Sequence, residues 1–340
     1  MIGAMERAEQ MGPDNLAVAD TAFALARLYS AQKRVTEARA NDQRAFTHRL
    51  EELGPEDPKT VLSYLALMEY PQPPEYQEES LLRSTLALAQ QRHGQNDWRC
   101  ARILALILGK LPPASLEING LASQAEAICR HMFGEGRAEL VKAPDVGGAL
   151  GDVLKDLGHI PAAAAFYAFS ARYQEELNGA KSEGTAVALF KLGASLEKSG
   201  QSDKALAPLR RSLEIQALKF PSDHEMTRAT VNLMALTLSS LGHTEEAGEY
   251  FSRALDWIDP NQHEARTRCL LGLLQAACLD PKKSRERTKL TDQIVNLSTS
   301  LGGPALEFLA LGFRHAATLL SRFWLDNEAR ALLEKALEWS

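Results

Sequence analysis

The sequence predicts an all-α fold, a solenoid of stacked helical hairpins. Three observations predict it: residue columns recur at a step of 42 positions, apolar residues within each repeat keep the spacing of one helix face, and a glycine recurs where the first helix of each repeat must stop. The columns are Leu150/Leu192/Met234, Gly151/Gly193/Ala235, Leu154/Leu196/Leu238, Gly158/Gly200/Gly242, Ala163/Ala205/Ala247, Tyr167/Leu209/Phe251 and Ser170/Ser212/Ala254.

Each column has a physical reason. A small residue beside a large one lets a neighbouring helix approach, and the leucine four positions later returns to the same face. Glycine tolerates the left-handed conformation that closes a helix, so Gly158, Gly200 and Gly242 end the first helix of each pair. Acidic Asp203, Glu245 and Glu246 then open the second helix, where the macrodipole favours negative charge. Two amphipathic helices joined in this way bury their apolar faces only by pairing and by stacking on neighbours.

The remaining hairpins are degenerate. A partial helix over residues 1–12 and the turn Gly12-Pro13-Asp14 lead into a hairpin marked by Leu25-Ala26, Tyr29, Ala38 and Ala45. Thr60 to Tyr70 and Glu75 to Arg92 form the next, around the turn Pro71-Gln72-Pro73-Pro74. A third, Asp97 to Met132, has its first helix stopped by Pro112-Pro113. Three well-formed repeats fill residues 144–258, with a kink expected at Pro208. Arg266 to Cys278 then pairs with Arg287 to Leu297, and the last hairpin carries Ala316-Ala317, Leu320, Ala329, Leu333 and Ala336. Residues 1–340 thus read as one solenoid, degenerate over 13–143 and 259–340. The partial first helix and the absence of a polar capping helix imply either a longer parent protein or an end-to-end contact with a neighbouring domain or subunit.

Composition narrows the function classes. Hydrophobic residues at 45% and charged residues at 24% belong to a folded globular chain, and a net charge of −6 argues against a nucleic-acid partner. Cys100, Cys129, Cys269 and Cys278 lack metal spacing and read as reduced core thiols. The charged N-terminus and the absence of a long apolar run predict a cytoplasmic protein without a membrane partner.

The segment from Asn232-Leu233-Met234-Ala235-Leu236 through Glu245-Glu246-Ala247 to Tyr250-Phe251-Ser252-Arg253-Ala254-Leu255 resembles the tetratricopeptide repeat family. The period exceeds the usual ~34 residues, and phrases such as Leu53-Gly54-Pro55-Glu56-Asp57-Pro58 resemble the kinesin-light-chain type of that family. The resemblance implies a right-handed α-α superhelix whose first helices line a concave groove. By the family's register, Arg27, Arg102, Lys155, Lys191, Asn232, Arg266 and Arg314 would face that groove, with Lys198 and Arg322 close by and Tyr64, Leu236 and Phe190 supplying apolar contact.

No H-E-x-x-H, G-x-S-x-G or phosphate-loop pattern occurs, and the glycines at Gly147-Gly148 and Gly151 follow no strand. The four tryptophans fall in helical apolar patterns and read as core. The expectation is therefore a non-catalytic scaffold or adaptor, without cofactor or metal, that holds a protein or peptide of some acidic character. The alternative is a peptide-sensing or autoinhibitory module of a larger regulator, and a mixed, solvated face that binds nothing stands against both.

Overall fold

The computed structural model describes residues 15–70, 76–135, 140–141 and 143–339. The predicted leading helix over 1–12 and the Pro71–Pro74 turn lie outside the described residues. Those described form sixteen α-helices and no strand, arranged as two compact units, one reaching Gly179 and the other running from Ala180.

The first unit holds α1 (Asn15–Ala31), α2 (Val35–Leu53), α3 (Pro58–Leu67), α4 (Glu79–His93), α5 (Trp98–Leu108), α6 (Glu117–Gly134), α7 (Val146–Asp156) and α8 (Ile160–Asn178). The second holds α9 (Glu183–Lys198), α10 (Ser202–Lys219), α11 (Glu225–Ser240), α12 (Thr244–Leu255), α13 (His263–Ala277), α14 (Ser284–Ser298), α15 (Gly303–Ser321) and α16 (Asp326–Glu338). Each odd-numbered helix packs against the even-numbered helix that follows it, and within each unit successive hairpins stack.

The repeat columns become the core. Tyr167, Leu209 and Phe251 are buried, as are Leu154, Leu238, Ala163, Ala205 and Ala247. The small column lies against the large one. A β-carbon on Gly151 would stand 2.7 Å from the ring of Tyr167, so the glycine is what lets α7 and α8 approach. Burying one such large side chain stabilises by about 2 kcal/mol.

The predicted turn glycines adopt the left-handed conformation, with φ of +82° at Gly158, +76° at Gly200 and +78° at Gly242. The amide after each glycine donates back to the column leucine: His159 to Leu154 at 2.8 Å, Gln201 to Leu196 at 2.9 Å and His243 to Leu238 at 2.9 Å. The same closure recurs where no glycine marks it. Lys33 has φ of +59° and Trp324 +60°, and the amides of Arg34 and Leu325 donate to Tyr29 and Leu320. Trp324 therefore departs from the expected core position: it is 87% exposed because it occupies the turn, whereas Trp98 is buried and Trp339 packs edge-on against Phe313.

A second motif links one hairpin to the next. Gly54, Gly94 and Gly179 have φ of +80°, +93° and +93°, and three residues later Asp57, Asp97 and Ser182 cap the following helix. Their side-chain oxygens accept from the amides of Lys59, Arg99 and Thr185, satisfying donors that the helix leaves unpaired. α10 is continuous through Pro208. All four cysteines are buried free thiols, and burial pushes Cys129 and Cys278 up to about 12.

Candidate partner-binding groove

In α11 the residues Val231, Met234, Ala235 and Leu238 fill the core at helical spacing, and Leu236 packs against its edge, half-buried. In α13 the spacing of Glu264, Thr267 and Arg268 puts all three on one flank. Gly302 caps α15, Pro304 occupies its first turn, and Ala305 and Phe308 follow on the same side. Together with Leu301 these residues line a groove of about 530 Å³ within the second unit.

The groove is apolar and electrically balanced. Leu236, Leu301, Pro304, Ala305 and Phe308 provide its hydrophobic surface, and Phe308 is 47% exposed. Its two charges neutralise one another, since Arg268 donates to Glu264 at 3.0 Å one helical turn away. Beneath them, Thr267 is 2% exposed and its hydroxyl has no hydrogen-bond partner. An unpaired buried hydroxyl is costly unless something supplies a partner.

The predicted groove residues divide into several groups. Tyr64 and Arg102 are buried and line no accessible face. Tyr64 donates its hydroxyl to the carbonyl of Tyr76 at 2.7 Å. Arg102 donates to the carbonyls of Met68, at 2.6 Å, and Tyr70, closing the end of α3. The family register counted both as inward-facing, but loose carbonyls after a ten-residue helix recruit the nearest arginine. Arg27 is half-buried and pairs with the carboxylate of Asp42, which burial holds above the ordinary aspartate range.

Lys155 is exposed and pairs with Asp156 at 3.2 Å. Lys191, Asn232 and Arg266 are half-buried, while Lys198, Arg314 and Arg322 are exposed. None of these six lines the groove at α11, α13 and α15; of the side chains expected there, Leu236 alone does. Thr267, Arg268 and Phe308 were not anticipated. The i, i+3, i+4 spacing of Glu264, Thr267 and Arg268 was a usable signal, but the contribution of α15 depends on how hairpins stack.

Asp20, Asp145 and Asp152 also have intramolecular partners. Asp20 accepts from Arg49 at 2.7 Å and Lys59 at 3.1 Å, and the Arg49 hydrogen bond holds its carboxyl below the usual range. Asp152 accepts from Tyr167 at 2.7 Å, and Asp145 from the Gly148 amide at 2.8 Å and the Ser170 hydroxyl at 2.6 Å. Among the described residues no helix is long and apolar enough to cross a membrane, and no group of three or more His, Cys, Asp or Glu could hold a metal ion.

Family models for tetratricopeptide repeats match three segments, residues 18–59, 147–217 and 230–261. These three segments are tetratricopeptide repeats. The matched segments coincide with α1–α2, α7–α10 and α11–α12, where the left-handed closure after the first helix recurs.

Among solved structures the chain is similar to the TPR-like repeats of a kinesin light chain from Podosopora anserina, at 17% identity and a TM-score of 0.34, covering 72% of this chain and 96% of that one. BtubC (BKLC) from P. vanneervenii is 13% identical with a TM-score of 0.40, over 77% of this chain and 88% of the other. The apo form of RapI is 14% identical with a TM-score of 0.37, over 94% and 97%. No curated protein matches.

Proposed function

We propose that this tetratricopeptide repeat protein is a non-catalytic scaffold that holds a segment of another protein, and that the groove between α11, α13 and α15 is where it does so. The observation that carries the reading is the groove itself: Phe308, 47% exposed, and the half-buried Leu236 line one depression whose only two charges are already paired. A partner of matching chemistry presents a large apolar side chain rather than a run of acidic residues.

The test is selection from a displayed peptide library against the wild-type chain and against Leu236→Asp combined with Phe308→Asp. Peptides sharing an apolar anchor, enriched by the wild type and ignored by the folded variant, are the expected outcome. Equal enrichment by both proteins, or none by either, rejects this groove. Because the site is electrically balanced, affinity should change little with salt.

A further inference from the structure

Even-numbered helices of the second unit leave clefts between them. One, of about 320 Å³, lies between α14 and α16. Arg287, near the start of α14 and 3% exposed, donates to both carboxylate oxygens of Glu328 in the first turn of α16, at 2.7 and 3.1 Å, and so pins the starts of the two helices together. Both walls therefore belong to the chain. The opening comes from the way hairpins stack, because the cleft between α10 and α12, lined by Leu213, Ala217 and Tyr250, is open at about 400 Å³ although two further hairpins follow it.

The floor of the α14–α16 cleft is apolar. Leu274, Leu320 and Leu332, all buried, come to it from three helices, and the exposed Ala331 stands at its edge.

Charge selects the occupant. Of the six charged side chains that line the cleft four are acids, Asp292, Glu328, Glu334 and Glu338. Both cations are already engaged, Arg287 by Glu328 and Lys335 by Glu338 at 2.9 Å. Glu334 is held by Arg330 in an exposed pair at 3.0 Å, and Asp292, also exposed, has no partner among the described residues. Exposed pairs are weak, so these acids can turn to an incoming cation. The α10–α12 cleft has the opposite balance, Arg210 and Arg253 against Glu214, so the acidic edge is not a general property of such clefts. An apolar floor under an acidic edge fits a lysine or arginine side chain, whose stem lies on the leucines while its charged head stays at the rim with Asp292 and Glu334.

We propose that the cleft between α14 and α16 docks a basic segment of a partner protein through a lysine or arginine side chain. The site is separate from the groove at α11, α13 and α15 and does not depend on it.

Selection from a displayed peptide library tests the proposal, using the full wild-type chain beside Leu236→Asp combined with Phe308→Asp, which removes the groove. Peptides that join lysine or arginine to apolar residues are expected to be enriched by both proteins. An enriched basic peptide, synthesised with a fluorescent label, is expected to bind less tightly as salt rises and to lose about tenfold in affinity when Asp292→Asn and Glu334→Gln are combined. Ala331→Phe fills the cleft without altering a charge; it is expected to abolish binding while the helical circular dichroism spectrum stays unchanged. Enrichment of no basic peptide overturns the proposal. So does a basic peptide whose affinity survives Ala331→Phe, which would mean attraction to acidic surface alone, or one indifferent to the loss of both acids. Basic peptides lost with the groove would place them there instead and reject the cleft.

Discussion

A β-carbon placed on Gly193 would stand 2.5 Å from Cγ of Leu209, closer than two carbons can approach, so the α9–α10 pair closes only because position 193 has no side chain. The gain in helix propensity from glycine to alanine is about 1 kcal/mol, and the overpacking it brings is worth about 1–3 kcal/mol. Gly193→Ala is therefore expected to lower stability, read as a fall in melting temperature. Combining it with Leu209→Ala should cost less than the sum of the two single changes, because the second relieves the clash made by the first. Strict additivity would mean that the two residues are not coupled.

Lys33 takes the backbone conformation that Gly158, Gly200 and Gly242 take at the equivalent turns, at φ of +59°. A side chain there costs about 1–2 kcal/mol, of which glycine's greater freedom in the unfolded chain returns part. Lys33→Gly is expected to raise stability by roughly 0.5–1 kcal/mol. Gly242→Ala, at φ of +78°, should lower it by a similar amount. Denaturant midpoints of the two variants should move in opposite directions; movement in the same direction contradicts the account.

Thr267 is buried with its hydroxyl unpaired, and the same holds for Thr227 in α11. Replacing the hydroxyl by a methyl group of similar size removes a desolvation cost of about 1–3 kcal/mol. Thr267→Val is expected to raise the urea midpoint, with Thr227→Val as a companion. An unchanged or lower midpoint would mean that Thr267 already has a partner in solution.

Glu328 of α16 accepts from the buried Arg287 at 2.7 Å, and this hydrogen bond holds its carboxyl below the ordinary glutamate range. A lowered acid contributes stability that is present above its unfolded value, about 4.3, and is lost as pH falls through its folded value. Asp20, lowered by Arg49, acts in the same direction. Asp42, raised by burial, acts oppositely: its ionisation costs stability as pH rises through its folded value. Glu328→Gln should therefore flatten the acid side of the stability–pH curve and leave its slope above neutrality unchanged. A curve that keeps its acid slope would exclude the Arg287–Glu328 pair as a contributor.

Much of the fold was legible because the repeat writes the same physics several times. Gly158, Gly200 and Gly242 announced the turns, and Leu154, Leu196 and Leu238 announced both a core face and the carbonyls that close it. The first and last hairpins were fainter because Lys33 and Trp324 stand where glycine would have marked the turn. The candidate site was far less legible. Helical spacing places a residue on a face but does not reveal which carbonyls or carboxylates lie opposite, so Arg102 and Tyr64 read as groove residues although both are bound inside the first unit.

The sequence by itself determined the all-α class, the paired helices, their turns and the packing columns, since these follow from spacing and from the backbone freedom of single residues. Only the tertiary structure decided which charges are paired within the chain, and that Leu236 and Phe308 line one groove with residues of α13. These depend on residues tens of positions apart coming within a few ångströms, and hairpin stacking, rather than any local preference, fixes such distances.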